Sequence, residues 1–405
     1  MRMNRRVLVS VAAGMVAVAS PALAQKKYDP GASDTEIRVG NIMPYSGPAS
    51  AYGTIGKAQA AYFRMINEQG GINGRKINFI SYDDAYSPPK TVEQARKLVE
   101  SDEVLLIFSS LGTATNSAIQ KYMNAKKVPQ LFVATGATKW GDPKNFPWTM
   151  GYQPNYQSEG RIYAKYILQH HAAGKVAVLF QNDDYGKDVL KGLKDGLGAR
   201  TAMVVAEMPY ETADPTVDSQ IVRLKASGAD IFVNITTPKF AAQAIKKVAE
   251  LGWKPVHILN NVSGSIGAVL RPAGFENSKD ILSTAYFKDQ TDPANAKDPG
   301  VVEWTAFMDK YYPEGDKTNS SNVTAYTTAR LLVQVLTQCG DNLTRENVMR
   351  QAANLRNVDL GMLLPGITVN TGPADYFPLE ELQMRRFNGT GWEMFGPVIS
   401  GEIGS

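Results

Sequence analysis

Glu36-Ile37-Arg38-Val39-Gly40-Asn41-Ile42-Met43, then an amphipathic run over 51–69, a Gly70-Gly71 stop and a second β-branched run over 76–82, decide the fold class of this chain. Short β-branched runs predict strands, and longer runs with apolar residues three and four apart predict helices. Glycine just past a helix supplies its left-handed cap. Strand, helix, strand in that order is a βα unit with parallel strands. The rhythm continues with a helix over 88–101 that has proline near its start, a strand over 104–108, a helix over 114–125 and a strand over 128–133. It restarts with helices over 156–170, 185–197, 216–226 and 239–251, alternating with strands over 175–180, 203–208, 230–235 and 256–260. The expected fold is therefore α/β, built on two doubly wound parallel sheets.

Breaks rich in Pro, Asp and Asn near 148–157 and 285–299 read as crossings between the two units. Helices over 301–312, 322–338 and 345–354 then need a sheet to cover, and strands near 366–369 and 383–387 need a sheet to join. The economical arrangement has lobe one at 35–155 plus 286–364 and lobe two at 156–285 plus 365–405. Ligands of open α/β sheets sit outside the carboxyl ends of the strands, so two facing lobes make a cleft between their strand–helix loops.

The first 24 residues state where the rest works. Arg2, Arg5 and Arg6 form a positive start, 7–19 is apolar, and Ala22-Leu23-Ala24 is a small-residue cleavage site, so a signal peptide is expected with Gln25 as the mature start. The apolar run is shorter than the roughly 20 residues of a spanning helix. The expectation is export as a soluble protein. Removing three arginines and no acid from a formal charge of +4 leaves the mature chain at +1, which gives no electrostatic case for nucleic acid as a partner. Cys339 is the single cysteine, so no intramolecular disulfide can form, and it reads as a buried small hydrophobe.

Catalytic constellations are thin. His170, His171 and His257 are the only histidines and are too scattered for a metal site or a triad. Asp83-Asp84 and Asp183-Asp184 stand at strand ends, where carboxylates cap helices. Val39-Gly40-Asn41-Ile42-Met43-Pro44 replaces any G-x-G-x-x-G after the first strand, and no G-x-x-x-x-G-K-[ST] occurs, so neither nucleotide nor cofactor is expected. More promising is Ser109-Ser110-Leu111-Gly112-Thr113-Ala114-Thr115-Asn116, which runs from a strand into a helix. Backbone N–H groups and hydroxyls at such a positive helix end suit a carboxylate, while the plainer reading has Thr113 or Thr115 capping the helix.

Tyr45-Ser46-Gly47-Pro48-Ala49, the run Ile66-Asn67-Glu68-Gln69-Gly70-Gly71-Ile72-Asn73-Gly74-Arg75, Tyr82-Asp83-Asp84-Ala85-Tyr86, Ala134-Thr135-Gly136-Ala137-Thr138, Asp184-Tyr185-Gly186 and Asp289-Gln290-Thr291-Asp292-Pro293 keep one order along the chain. With the loop at Gly112 they resemble the branched-chain amino-acid (Leu/Ile/Val) binding proteins of bacterial ABC importers. That resemblance implies a type I periplasmic binding protein: two Rossmann-like lobes, a three-crossing hinge, and a ligand trapped by lobe closure. It implies that Leu111, Gly112 and Thr113 face Gly136, Ala137 and Thr138 around one carboxylate. It also places Tyr52 and Tyr185 over the ligand from opposite lobes, with Thr236, Asn261 and Ser263 in the remaining second-lobe loops.

The departures from that pattern matter as much. Family members that take amino acids carry an acid for the ligand ammonium after the strand ending near Asn260, and here the stretch is Asn261-Val262-Ser263-Gly264-Ser265. The preceding loop reads Thr236-Thr237-Pro238 instead of carrying a tyrosine. A buried ammonium with no carboxylate partner costs several kcal/mol. A carboxylate or neutral polar compound without an amino group therefore stands beside an amino acid as the expected ligand, and Lys288 is a candidate for a second negative group, against an ordinary solvated lysine. The expected role is a monomeric substrate-binding protein that hands a small molecule to a membrane ABC permease and is not an enzyme. A sensory binding module for a receptor and an exported enzyme on the same fold are the alternatives.

Overall fold

The computed structural model describes residues 26–401, so the expected signal peptide lies outside the described residues. Five strands, β2 (Glu36–Met43), β3 (Lys76–Asp83), β4 (Leu106–Phe108), β5 (Gln130–Val133) and β6 (Thr149–Gly151), form one parallel sheet in the order β3-β2-β4-β5-β6. A second sheet of seven holds β7 (Val176–Gln181), β8 (Val204–Tyr210), β9 (Ile231–Ile235), β10 (Val256–Leu259), β11 (Leu282–Ala285), β13 (Glu381–Phe387) and β14 (Trp392–Ser400). Its order is β14-β13-β11-β10-β9-β7-β8, parallel from β11 to β8 and closed at one edge by the antiparallel β13–β14 pair. The two-residue strands β1 (Lys27–Tyr28) and β12 (Asn342–Leu343) pair with each other and tie the N-terminus down.

Every residue of β4, β5, β7 and β9 is buried, as strands covered by helices on both faces must be. The helix Thr54–Glu68 packs on Ser321–Cys339, with the Tyr62 ring 5.2 Å from Tyr326 and 5.6 Å from Phe307. The late helices therefore cover the first sheet, while the last strands join the second, and the chain passes between the two units three times. Cys339 is buried and unpaired at the end of its helix, and burial pushes its thiol up to about 12. Among the described residues no helix is long and apolar enough to cross a membrane.

The expected strand at 366–369 is absent: Val369 makes a single bridge to Val358 and joins neither sheet. Besides the two-residue pair β1 and β12, three strands of the main sheets were not expected, each for a physical reason. β6 has three residues, β11 is Leu-Ser-Thr-Ala with little β-branched apolar content, and β14 contains Gly396-Pro397, tolerated because an edge strand has a free side.

Candidate ligand-binding site

The carboxyl ends of both parallel sheets face one cavity, which encloses about 970 Å³ of empty space when the part open to solvent is counted. Tyr52 reaches it from the turn after β2, Leu111, Gly112 and Thr113 from the loop after β4, Tyr185 from the helix after β7, and Asn261 from the turn after β10. These six expected contacts are brought together. Gly136, Ala137, Thr138, Thr236 and Ser263 do not line the cavity, which corrects their expected placement. Thr135 and Thr237, one position earlier or later, line it instead of their neighbours. Thr138 is spent elsewhere: its N–H and hydroxyl donate to Asp188 at 2.7 and 2.8 Å, beside Asn155, and so latch the two units outside the cavity. The Ser263 hydroxyl donates to the Thr236 carbonyl behind the wall.

Gly112 begins the helix Thr113–Lys126 at φ +98°, and a Cβ there would stand 2.5 Å from the Tyr86 ring. Only glycine fits both demands. No side chain caps this helix end. Thr115 turns back to the Leu111 and Gly112 carbonyls, and Thr113 pairs with the Thr135 hydroxyl at 2.6 Å, so the capping reading of these threonines does not hold. The aspartate pairs do act as structural acceptors: Asp183 takes the N–H groups of Tyr185 and Gly186, and Asp84 takes that of Tyr86 and the Thr91 hydroxyl.

The second-sheet wall is organised around Glu159, which sequence reasoning missed. Its carboxylate accepts from Thr284 at 2.9 Å, the Asn261 N–H at 2.8 Å, the Asn260 amide at 2.5 Å and the Tyr163 hydroxyl. Burial pushes its pKa up against those bonds, yet the Asn261 N–H and the Asn260 amide can only donate, which fits an ionised acceptor. Asn260 passes the order on by accepting from the Tyr185 hydroxyl at 2.9 Å. The signal was present in the sequence: Glu159 stands three residues after Tyr156 and four before Tyr163, on the buried stripe of the helix Tyr156–His170.

Arg385 was missed as well. It is 8% exposed, lines the cavity from β13, and stacks its guanidinium 4.2 Å above the Trp392 ring. Burial brings its pKa down to about 10, with Asp289 the largest opposing influence. Lys288 does not have the expected freedom: its ammonium donates to Asp298 at 2.8 Å and to the Gly361 carbonyl at 2.9 Å. Among the described residues no cluster of His, Cys, Asp and Glu could hold a metal ion.

Across the cavity mouth the Tyr52 hydroxyl donates to the Val262 carbonyl at 3.0 Å, and Ser265 donates to Asn319 at 3.1 Å. Such bonds join one wall to the other, so this is the shut arrangement of a cleft between two units.

Known proteins share this plan. A Leu/Ile/Val-binding protein homolog 7 of Brucella abortus (strain 2308) is 24% identical over 321 residues, 75% of this chain and 77% of its own. The leucine-specific-binding protein of Salmonella typhimurium is 26% identical over 230 residues, 56% of this chain and 59% of its own. Among solved structures, a branched-chain amino acid ABC transporter protein of Thermus thermophilus with bound valine superimposes with TM-score 0.80 at 17% identity, covering 90% of this chain and 97% of that one. A fatty acid ABC transporter substrate-binding protein from Thermomonospora curvata gives 0.77 at 21% identity, covering 93% and 95%. Residues 36–384 match the model of the family described as periplasmic binding protein, and this chain belongs to that family.

Proposed function

We propose that the chain is the substrate-binding protein of a branched-chain amino-acid-type ABC importer, exported to the periplasm, acting as a monomer and passing its ligand to a membrane permease. The observation that carries this reading is the cavity enclosed between the carboxyl ends of two parallel sheets, with bonds such as that of Tyr52 to the Val262 carbonyl holding it shut. Ligand contacts to both walls favour the shut state over the open one, and that preference is what a permease can sense. Lobe one is taken as 35–155 plus 286–364 and lobe two as 156–285 plus 365–405, hinged where the chain passes between the sheets.

Tyr52, Leu111, Gly112, Thr113, Tyr185 and Asn261 are the proposed contacts, joined by Thr135 and Tyr156. Valine and a fatty acid, named for two proteins of this fold, share a carboxylate. In this chain the junction from Gly112 into the helix Thr113–Lys126, with its paired Thr113 and Thr135 hydroxyls, is the proposed seat of that group. The alternative of an amino-acid ligand requires an acid for the ammonium, and Glu159 is engaged by four neighbours behind the wall.

The test is to expose the purified protein to a small-molecule extract, denature it, identify released compounds by mass spectrometry, and follow compaction by X-ray scattering on adding them back. A released carboxylate that compacts the protein is expected. Release of nothing, with unchanged scattering across amino acids, keto acids and carboxylates, overturns the reading.

A further inference from the structure

Arg385 is a buried cation with no hydrogen-bonding partner among the described residues. Among the described residues no hydrogen bond or ion pair reaches its guanidinium, and its Nε is fully buried without a partner. A guanidinium carries five N–H donors in a planar fork and cannot shed its charge at neutral pH. Left unmet in a low-dielectric site, such donors are costly, and native proteins rarely leave them so. The two nearby acids are committed elsewhere. Asp289 accepts from the Thr291 N–H and hydroxyl through one oxygen and from the Trp392 N–H through the other. Glu159 accepts from Tyr163, Thr284, Asn260 and Asn261, and neither acid comes within 4.0 Å of the guanidinium.

The surroundings hold the fork in place and aim it. One face lies on the Trp392 ring, whose indole N–H is fixed to the Gly264 carbonyl at 2.9 Å. One terminal nitrogen lies against Gly264, where a Cβ would come within 2.0 Å of it. The same cavity is lined by Ser320, Ser321 and Thr324 at the start of the helix Ser321–Cys339, whose first turn carries no acid. The cavity that the fork lines is thus also edged by hydroxyls and the positive end of a helix, a setting in which an anionic oxygen group is bound.

We propose that Arg385 receives an anionic oxygen group of the ligand in a bidentate pair, so that this binding protein takes a compound acidic at both ends, of the dicarboxylate class. The inference rests on the proposed substrate-binding function and its carboxylate seat at Thr113 and Thr135. One acid is gripped from each wall, and closure brings the second acid onto Arg385.

Isothermal titration with glutarate, adipate, suberate and terephthalate, each paired with its monomethyl ester and set beside leucine and 4-methylpentanoate, tests it. At least one diacid binds the wild type and its monomethyl ester binds about 30- to 100-fold more weakly, the loss expected for a charged hydrogen-bonded pair. Arg385→Gln removes that difference by weakening the diacid to the level of its ester, while Arg385→Lys keeps part of it. Gly264→Ala, which pushes on the fork without touching its charge, weakens the diacid by a smaller factor. Should Arg385→Gln not fold, the ester comparison on the wild type decides alone. A leucine or monoacid complex tighter than every diacid, or diacids and esters bound equally, overturns the proposal and leaves the substrate-binding reading standing. Failure of that reading shows differently: no compound from the panel or from a cell extract binds at all.

Discussion

The two walls of the cavity are built on opposite principles. On the first-sheet side the loops after β4 and β5 present neutral groups satisfied locally, with Thr113 on Thr135 and Thr115 on its own helix end, and the charged residues that line the cavity from 286–364 are partnered, Lys288 by Asp298 and Asp289 by Thr291 and the Trp392 N–H. On the second-sheet side ionisable groups are buried, Glu159 surrounded by donors and Arg385 with its buried Nε unpartnered. A neutral wall made of backbone and hydroxyls costs little to bury and suits a general carboxylate seat. A charged wall is expensive, and its unpartnered Arg385 is the group on which the proposed selectivity rests. The difference teaches that the shared part of recognition is carried by local loop chemistry and the particular part by long-range packing.

Breaking the Glu159 hub is expected to have the largest effect. Glu159→Ala strands the Asn261 N–H and the Asn260 amide without an acceptor, leaves Tyr163 and Thr284 only each other and the Leu259 carbonyl, and costs about 3–5 kcal/mol in urea unfolding. Glu159→Gln costs about 1–2 kcal/mol, since its amide presents a donor to a donor on one side. Equal stability of either variant and wild type would put the order of this wall elsewhere.

The second-sheet side should also carry an acid-sensitive component set by one buried ring. His257 on β10 is buried against Phe232, and its Nε2 lies 3.1 Å from the Asn234 amide, whose oxygen already accepts from Thr236. The ring therefore accepts a hydrogen bond as the neutral form, and burial depresses its pKa to about 3 from 6.5. The unfolded state takes up the proton first, so this contribution is complete above pH 6.5 and is lost as pH falls toward 3. The loss is about 1.4 kcal/mol per pH unit within that window. Subtracting the pH–stability curve of His257→Phe from that of wild type isolates it, and identical slopes below about pH 6 would contradict the assignment.

The smallest effect belongs to the latch outside the cavity. Thr138→Ala removes the hydroxyl bonds to Asp188 and Asn155 and keeps the backbone bond to Asp188, so closure weakens by about 1–2 kcal/mol. Ligand dissociation accelerates while the chemistry of the preferred ligand stays the same. A change in ligand preference would place Thr138 back inside the recognition surface.

Where sequence and structure part company, the reason is visible residue by residue. The loop at Leu111, Gly112 and Thr113 was legible because a glycine at a strand–helix junction has a local cause, whereas Tyr52 and Tyr185 were expected only through the family resemblance. Thr138 was misplaced because two threonines stand three residues apart in one loop, and only the fold says which turns inward. Glu159 could have been read from its place on a buried helical stripe. Arg385 could not: it neighbours Arg386 on β13, and adjacent strand residues point to opposite faces, so one is buried and the other exposed. A register irregularity at Gln383 and Met384 upsets even the counting that alternation would allow.

By itself the sequence determined everything that depends on local periodicity and turn chemistry: alternating strands and helices, hence two parallel sheets with their loops at one end, and the absence of staples or nucleotide motifs. Only the tertiary structure decided which groups share the cavity. Arg385, Trp392, Gly264 and Asn261 are separated by up to 131 positions between Asn261 and Trp392, and sheet pairing at β10, β11 and β13 brings them together. Periodicity acts over a few residues and fixes the elements, while the charge balance of a buried site is summed over space and so exists only once those elements are packed.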